Sequence, residues 1–240
     1  MAILLSFDVE STGLNVHTDR VIEVGAILYS TGQKKCLESA GYLVKSDVPV
    51  SEEITKLTGI SQAAVNKFGY ESEDALETVL QMASLSDAFI GQNVLRFDKR
   101  VLEEWAKRHG KTVPEKLWID TRTDLPGIEG KHLGYMAADA GFLNMFPHSA
   151  LSDCQTVLKL VEPLDINAVI ERAKSPLLIL RAHVSFQENQ LAKKRKYTWF
   201  PAKKYWVKVI KQQDLEVETS HKEFDVTFLD DITAEEIWYS

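Results

Sequence analysis

Apolar positions along this chain recur with two periods, and the changes of period mark its elements. Ile3–Val9 is an apolar run that passes into alternation, the pattern of a buried strand. Val21–Tyr29 (VIEVGAILY) is rich in β-formers and follows a turn at Gly13 and Asn15, so it is expected to pair antiparallel with the first strand. Cys36–Val44 is expected as a third strand, completing a meander. Helical spacing then takes over at Ser61–Phe68 and Ser72–Ser84, the second with acids in its first turn. A short strand at Ala88–Ile90 ends at Gly91. A helix is predicted over Val94–His109, with Val94, Phe97, Val101, Leu102 and Trp105 recurring and Gly110 as its stop. Leu117–Ile119 reads as a strand, and Leu133–Ala140 and Ser149–Val161 read as helices. Three strands followed by mixed strands and helices predict an α/β fold, a mixed β-sheet flanked by helices on both faces.

The pattern changes after Lys174-Ser175-Pro176. Tyr197–Phe200 and Tyr205–Ile210 flank a hairpin turn at Pro201–Lys204, and Phe224–Leu229 adds another strand-like stretch. The expected organisation is a main domain over 1–174 and a small β-containing extension over 175–240.

Composition fits that division. A chain of 240 residues, 45% hydrophobic and 9% aromatic, is long enough to bury a core and is not a disordered one. Cys36 and Cys154 are too few for a disulfide scaffold, so a reducing compartment, the cytoplasm, is the expectation. The opening Met1–Leu5 run has no positive flank and stops at Asp8, unlike a signal peptide. No apolar run approaches the length that spans a bilayer, so no membrane is expected. The formal charge of −7 argues at first against nucleic acid. Resolved along the chain it is a sum of opposites: −7 over residues 1–180, +8 over 181–213 and −8 over 214–240.

Three acidic signals carry candidate chemistry. Asp8 and Glu10 lie two apart on a predicted strand, so both project from one face. Paired carboxylates repel unless a cation lies between them, and a divalent metal is the usual answer; a solvated strand end is the plainer alternative. Gly91-Gln92-Asn93-Val94-Leu95-Arg96-Phe97-Asp98 places Asp98 early in a helix, where the macrodipole alone could account for it. In His148-Ser149-Ala150-Leu151-Ser152-Asp153 the two ends would sit about 140° apart on one continuous helix. They can meet only if the helix begins near Ser149 and His148 folds back from the preceding loop. Otherwise they are a loop histidine and a surface aspartate.

Taken together and in this order, the signals resemble the DEDD-type 3′–5′ exonucleases, in the variant that uses a histidine. FDVESTGL with DRVIEVGAI downstream is similar to the family's first motif, GQNVLRFD to the second and HSALSD to the third. ITKLTGI (54–60) and WIDT (118–121) are similar to its intervening segments, and the likeness covers about residues 1–165. Gln92 departs from the pattern, since many relatives carry His there. The resemblance implies a ribonuclease-H-like (DnaQ-like) fold. It also implies two Mg²⁺ (or Mn²⁺) held by Asp8, Glu10, Asp98 and Asp153, and His148 as the base that takes a proton from water. Hard oxygen ligands suit those ions, and two such ions can clamp an in-line phosphoryl displacement. The product would be nucleoside 5′-monophosphates. The resemblance further implies that Ser11, Thr12, Gly13 and Leu14 receive the terminal nucleotide, with Leu14 as a base wedge or merely packed in a turn, and that Asn93 contacts substrate. Asp120, Asp124 and Asp139 fall outside the motifs and read as structural or solvated.

The basic segment mixes cations and aromatics: Lys193, Lys194, Arg195, Lys196, Tyr197, Trp199, Lys203, Lys204 and Trp206. Cations attract phosphates and ring faces stack on unpaired bases, so this block reads as a single-strand platform. Its alternative is a small hairpin whose aromatics form their own core. A C-terminal extension of this kind is similar in layout to the exodeoxyribonuclease X branch of the family. The acidic segment from Asp214 onward could pair with the block and autoinhibit. The expected function is a 3′–5′ exodeoxyribonuclease acting on DNA 3′ ends, single-stranded or frayed. The rivals are an RNA-trimming enzyme like ribonuclease T, a polymerase-associated proofreading subunit, and a non-catalytic nucleic-acid-binding module. Oligomeric state is not readable from the sequence.

Overall fold

A computed structural model describes residues 1–125 and 132–238. The chain divides into two compact units, Met1–Ala173 and Lys174–Ser240. No helix among the described residues is long and apolar enough to cross a membrane.

The first unit is built on a five-stranded sheet. Its strands are β1 (Ile3–Ser11), β2 (Val21–Ser30), β3 (Lys35–Leu43), β4 (Ala88–Gly91) and β5 (Leu117–Asp120), in the order β3-β2-β1-β4-β5. The first three form the expected antiparallel meander, whereas β4 and β5 join parallel to β1. The helices are α1 (Glu52–Thr58), α2 (Gln62–Phe68), α3 (Ser72–Leu85), α4 (Asp98–Arg108), α5 (Thr121–Asp124), α6 (Leu133–Asp139), α7 (Ala150–Val161) and α8 (Ile166–Lys174). Alternation on β1 divides the core between two faces. Leu5, Phe7 and Val9 pack with α3 and α4 residues such as Leu76, Met82 and Trp105. Phe89 stacks on Trp118 within that layer, their ring centroids 3.9 Å apart. On the other face Leu4, Ile27 and Ile119 pack against Met136 of α6 and Cys154, Val157 and Val161 of α7. Asp8 and Glu10 therefore share the α7 face of β1.

One boundary differs clearly from the sequence pattern. The helix expected from Val94 begins only at Asp98, because the carboxylate of Asp120 accepts the backbone N–H groups of Asn93 (2.8 Å) and Leu95 (3.3 Å) and holds that stretch as a loop. The ITKLTGI stretch lies mostly in α1, capped by Ser51, whose hydroxyl accepts from the Ile54 N–H. Cys154 is buried, but Cys36 is exposed.

The second unit is a four-stranded antiparallel sheet of β6 (Leu177–His183), β7 (Thr198–Phe200), β8 (Tyr205–Lys211) and β9 (Asp225–Leu229), in the order β7-β8-β6-β9. Short helices α9 (Asn189–Lys194), α10 (Leu215–Ser220) and α11 (Ala234–Trp238) complete it. Strand β6, which the sequence pattern shows only as a short apolar run, is central. The acidic segment is part of this fold: β9 pairs with β6, and Ile232 and Ile237 join the small core with Ile179, Phe200 and Val207.

Candidate active site

The carboxylates meet where β1 ends. Asp8, Glu10 and Asp153 each present an oxygen, and these oxygens lie within 4.8 Å of one another. β1 supplies the first two because its alternation turns both toward α7. Asp153 comes from the first turn of α7, which begins at Ala150 after the cap residue Ser149. His148 lies one residue earlier, on the loop, with φ of +61°. A histidine in that region of backbone space is strained and persists only where neighbours hold it. Here its own backbone N–H is held by the Asp153 carboxylate. His148 thus stays off the helix and lines the same cleft as Asp153.

Asp98 lies apart from the three. It heads α4, is buried, and its Oδ1 accepts the Val9 N–H at 3.1 Å. It is outside the 4.8 Å set, yet close enough to repel Asp8.

Burial and mutual repulsion shape the electrostatics. Both push the Asp8 carboxyl well above its ordinary range, burial more than Asp98, Asp153 and Glu10. Burial, then Glu23, Asp153 and Asp98, push Glu10 up to about 8. Burial raises Asp98 to about 7 against the opposing Val9 hydrogen bond. Asp153 is raised by burial too, with Asn144 and His148 pulling the other way. A clustered set of hard oxygen donors that cannot all ionise without added positive charge fits a divalent cation.

Several positioning residues were not legible in the sequence. Glu23 of β2 ties down the start of α7, accepting from the Ala150 N–H at 3.0 Å and the Ser149 hydroxyl at 3.3 Å. Asn144 donates its amide to Asp153 Oδ1 and accepts from the Ser152 hydroxyl (2.8 Å) and the Phe146 N–H (3.2 Å). Arg122 donates to Asn93 Oδ1 at 3.1 Å, and both line the cleft of about 750 Å³ that holds Asp8, His148 and Asp153. His132 and Tyr135 line it as well. None of these has a spacing signal; each arrives by tertiary contact. Asp120 and Asp124 are structural: Asp120 holds the 92–95 loop, and Asp124 accepts the Asp120 N–H.

The Ser11–Leu14 turn adjoins Glu10. Asp19 fixes it by accepting from the Thr12 hydroxyl (3.1 Å) and the Asn15 N–H (2.8 Å), and the Ser11 hydroxyl donates to the Gly13 carbonyl. Leu14 is 85% exposed, so it is not packed in the turn.

The basic block does not form one platform. Tyr197 is 3% exposed, and its hydroxyl donates to Glu218 at 3.0 Å. Arg195 is buried against Glu218 and Glu223, and Lys203 pairs with Asp231 at 3.3 Å. These three were expected to meet substrate; Tyr197 and Arg195 are turned into the unit's own core, whereas Lys203 stays exposed in its surface ion pair. Lys193, Lys194, Lys196, Trp199 and Lys204 remain exposed, and Trp206 is half-buried. The pairing expected of the acidic segment exists, but as part of the folded unit.

The mixed sheet, with a carboxylate cluster at the end of its first strand, is a ribonuclease-H-like fold. The exonuclease family profile matches residues 5–161, and the chain belongs to that family. It is 35% identical over 115 residues to the PolC-type DNA polymerase III of Caldanaerobacter subterraneus subsp. tengcongensis, covering 48% of this chain and 8% of that protein. To the PolC-type DNA polymerase III of Thermotoga maritima it is 28% identical over 170 residues, covering 67% of this chain and 12% of that protein. The chain thus spans about a tenth of the length of these relatives. Among solved structures it superposes on a complex of Escherichia coli exonuclease I with single-stranded DNA, with TM-score 0.63 and 14% identity over 76% of this chain and 48% of that one. It also superposes on the nuclease domain of 3′hExo, a DEDDh family member bound to rAMP, with TM-score 0.56 and 18% identity over 68% of this chain and 90% of that one. These likenesses establish the fold.

Proposed function

We propose that the chain is a metal-dependent 3′–5′ exodeoxyribonuclease that releases nucleoside 5′-monophosphates from single-stranded or frayed DNA ends. The observation that carries this reading is the convergence of Asp8, Glu10 and Asp153 within 4.8 Å, in a cleft that His148 also lines. Asp8, Glu10 and Asp153, with Asp98 nearby, would hold two Mg²⁺ or Mn²⁺. Such ions supply Lewis acidity toward a phosphoryl oxygen and a nucleophile from water near neutral pH.

The chain's own groups do the rest. His148, lining the cleft on its strained loop, accepts the proton that the attacking water gives up, and Asp153 beside it steadies the resulting imidazolium. Glu23 and Asn144 hold the α7 start and Asp153 in place, so they act as positioning residues. Arg122 and Asn93, across the cleft, offer a cation and an amide to the backbone of the strand end. The Ser11–Leu14 turn, fixed by Asp19, presents backbone and the exposed Leu14 to the terminal nucleotide.

The similarity to PolC-type DNA polymerases favours DNA over RNA and keeps proofreading as a second reading. The test is digestion of end-labelled single-stranded DNA, duplex DNA and RNA of one sequence, with Mg²⁺ and with EDTA. Single-stranded DNA should be consumed fastest, with no reaction in EDTA or with Asp8→Asn. Preference for RNA, or activity that survives EDTA, would overturn the assignment.

A further inference from the structure

The second unit contains a pocket of about 450 Å³ at the end of its sheet, where β6 finishes and β8 begins. Arg181, Asn189, Trp199, Lys204, Tyr205 and Trp206 line it, and no carboxylate occurs among its described lining residues. Arg181 lies on the central strand, in register with Val207 on one side and Thr227 on the other. Its guanidinium carbon is 4.7 Å from the Tyr205 ring centroid, and its Nε is buried without a hydrogen-bond partner. Three of the unit's other cations contrast with it. Arg195 and Lys208 are tied to Glu218, and Lys203 to Asp231. Arg181 is left facing an aromatic ring, which weakly offsets a positive charge.

The indoles reach the pocket from the other face of the sheet: Trp206 pairs with Ala182 and Trp199, whereas Arg181 and Tyr205 lie on the Val207 face, so the pocket wraps the end of the strands. Trp199 and Trp206 meet edge to face with centroids 5.6 Å apart, and the ammonium of Lys193 is 5.8 Å from the Trp206 ring. Trp199 is 43% exposed, an open ring at the mouth. A ligand that suits this wall brings negative charge for Arg181 and Lys204 and a flat face for the indoles. The volume lies in the range of small-ligand sites.

We infer that this pocket binds one unpaired nucleotide of a single-stranded nucleic acid, its base stacked on Trp199 and its phosphate held by Arg181 and Lys204. A duplex does not fit, since its bases have no free face. The choice of ligand leans on the nuclease reading of the first unit, and the test keeps the two apart. The full chain in EDTA is titrated with fluorescein-labelled dT12 and followed by anisotropy. Trp199→Ala should weaken binding by about 5- to 100-fold, the range for one stacked base. Trp199→Phe, which keeps a ring, should recover most of it. Arg181→Gln and Lys204→Ala should weaken binding and flatten its salt dependence. All four should hydrolyse the p-nitrophenyl ester of thymidine 5′-monophosphate like the unaltered protein, because one nucleotide has no strand to engage a second site. Melting temperatures confirm that each variant folds. Affinities for dT12 within twofold of the unaltered protein in folded Trp199→Ala and Arg181→Gln would overturn the inference. Trp199-dependent binding by a chain that cannot cleave the ester would leave it standing and remove the nuclease reading instead.

Discussion

Gly25 marks the closest approach of α7 to the sheet, and a methyl group there tests how tightly the site depends on that approach. Gly25 pairs with Asp8 on β1 and with Gly41 on β3, so it sits in the row that crosses beneath the cluster. A Cβ on Gly25 would lie 2.3 Å from the Ala150 carbonyl carbon, 2.5 Å from its oxygen and 2.5 Å from the Leu151 nitrogen. These are backbone atoms of the first turn of α7 and cannot swing aside. Restoring ordinary carbon contacts of about 3.5 Å requires that turn to withdraw by about 1 Å. The same turn carries Asp153 and receives both Glu23 hydrogen bonds. Overpacking of this kind costs about 1–3 kcal/mol, and a misplacement of about 1 Å at a reacting centre costs about 100-fold in rate. Gly25→Ala should therefore lower turnover by about two orders of magnitude and the melting temperature by several degrees. Gly41→Ala is the control. Its Cβ would meet Leu151 Cδ2 at 2.9 Å, the end of a side chain that can rotate away, and Leu151 Cβ at 3.3 Å, which asks for a shift of only a few tenths of an ångström, so its effect should be much smaller. Turnover on single-stranded DNA in Mg²⁺, with thermal melts in EDTA, reads both. Unaltered turnover in Gly25→Ala, or equal losses in the two variants, would refute the claim that α7 is held by backbone contact.

Three further outcomes are expected. His148→Ala should lower turnover at least about 100-fold, as loss of a general base does, while calorimetric Mn²⁺ binding stays close to that of the unaltered protein. In the metal-free protein, folded-state carboxyls raised to about 8 at Glu10 and about 7 at Asp98 bind protons that the unfolded chain has already released. Stability should therefore fall as pH rises from about 5 to 8; Mg²⁺ should offset the loss at pH 8, by about 2.7 kcal/mol at one hundred times its dissociation constant. Melts that are flat with pH and blind to Mg²⁺ would contradict the fit of the cluster to a cation. Glu218→Ala should destabilise the second unit by about 3–5 kcal/mol, because Arg195 and Lys208 lose their buried partner; denaturant melts followed by tryptophan fluorescence measure it.

The parts of the fold and site that follow local rules were legible in the sequence. Alternation on β1 places Asp8 and Glu10 on one face, and the break before α7 leaves His148 on a loop. What escaped depends on contacts distant in sequence. The start of α4 was read too early because the Asp120 carboxylate, some 25 residues away, holds Asn93 and Leu95 out of the helix. Glu23 reaches the start of α7 across more than 120 residues. In the second unit the net charge of the basic block was visible, but its division was not. Glu218 draws Arg195 and Lys208 inward, Asp231 pairs with Lys203 at the surface, and Arg181, outside the aromatic run, lines the pocket together with Lys204.

The central claim is stepwise removal of nucleotides from a 3′ end by the Asp8–Glu10–Asp153 cluster with His148. Digestion of a 5′-labelled single-stranded DNA in Mg²⁺, resolved at single-nucleotide steps over time, tests it most directly. A ladder that shortens by one nucleotide at a time while the label stays on the longer fragment, and that vanishes with Asp8→Asn, is the predicted result. Early release of the label as a mononucleotide, or internal cuts without a ladder, would contradict it.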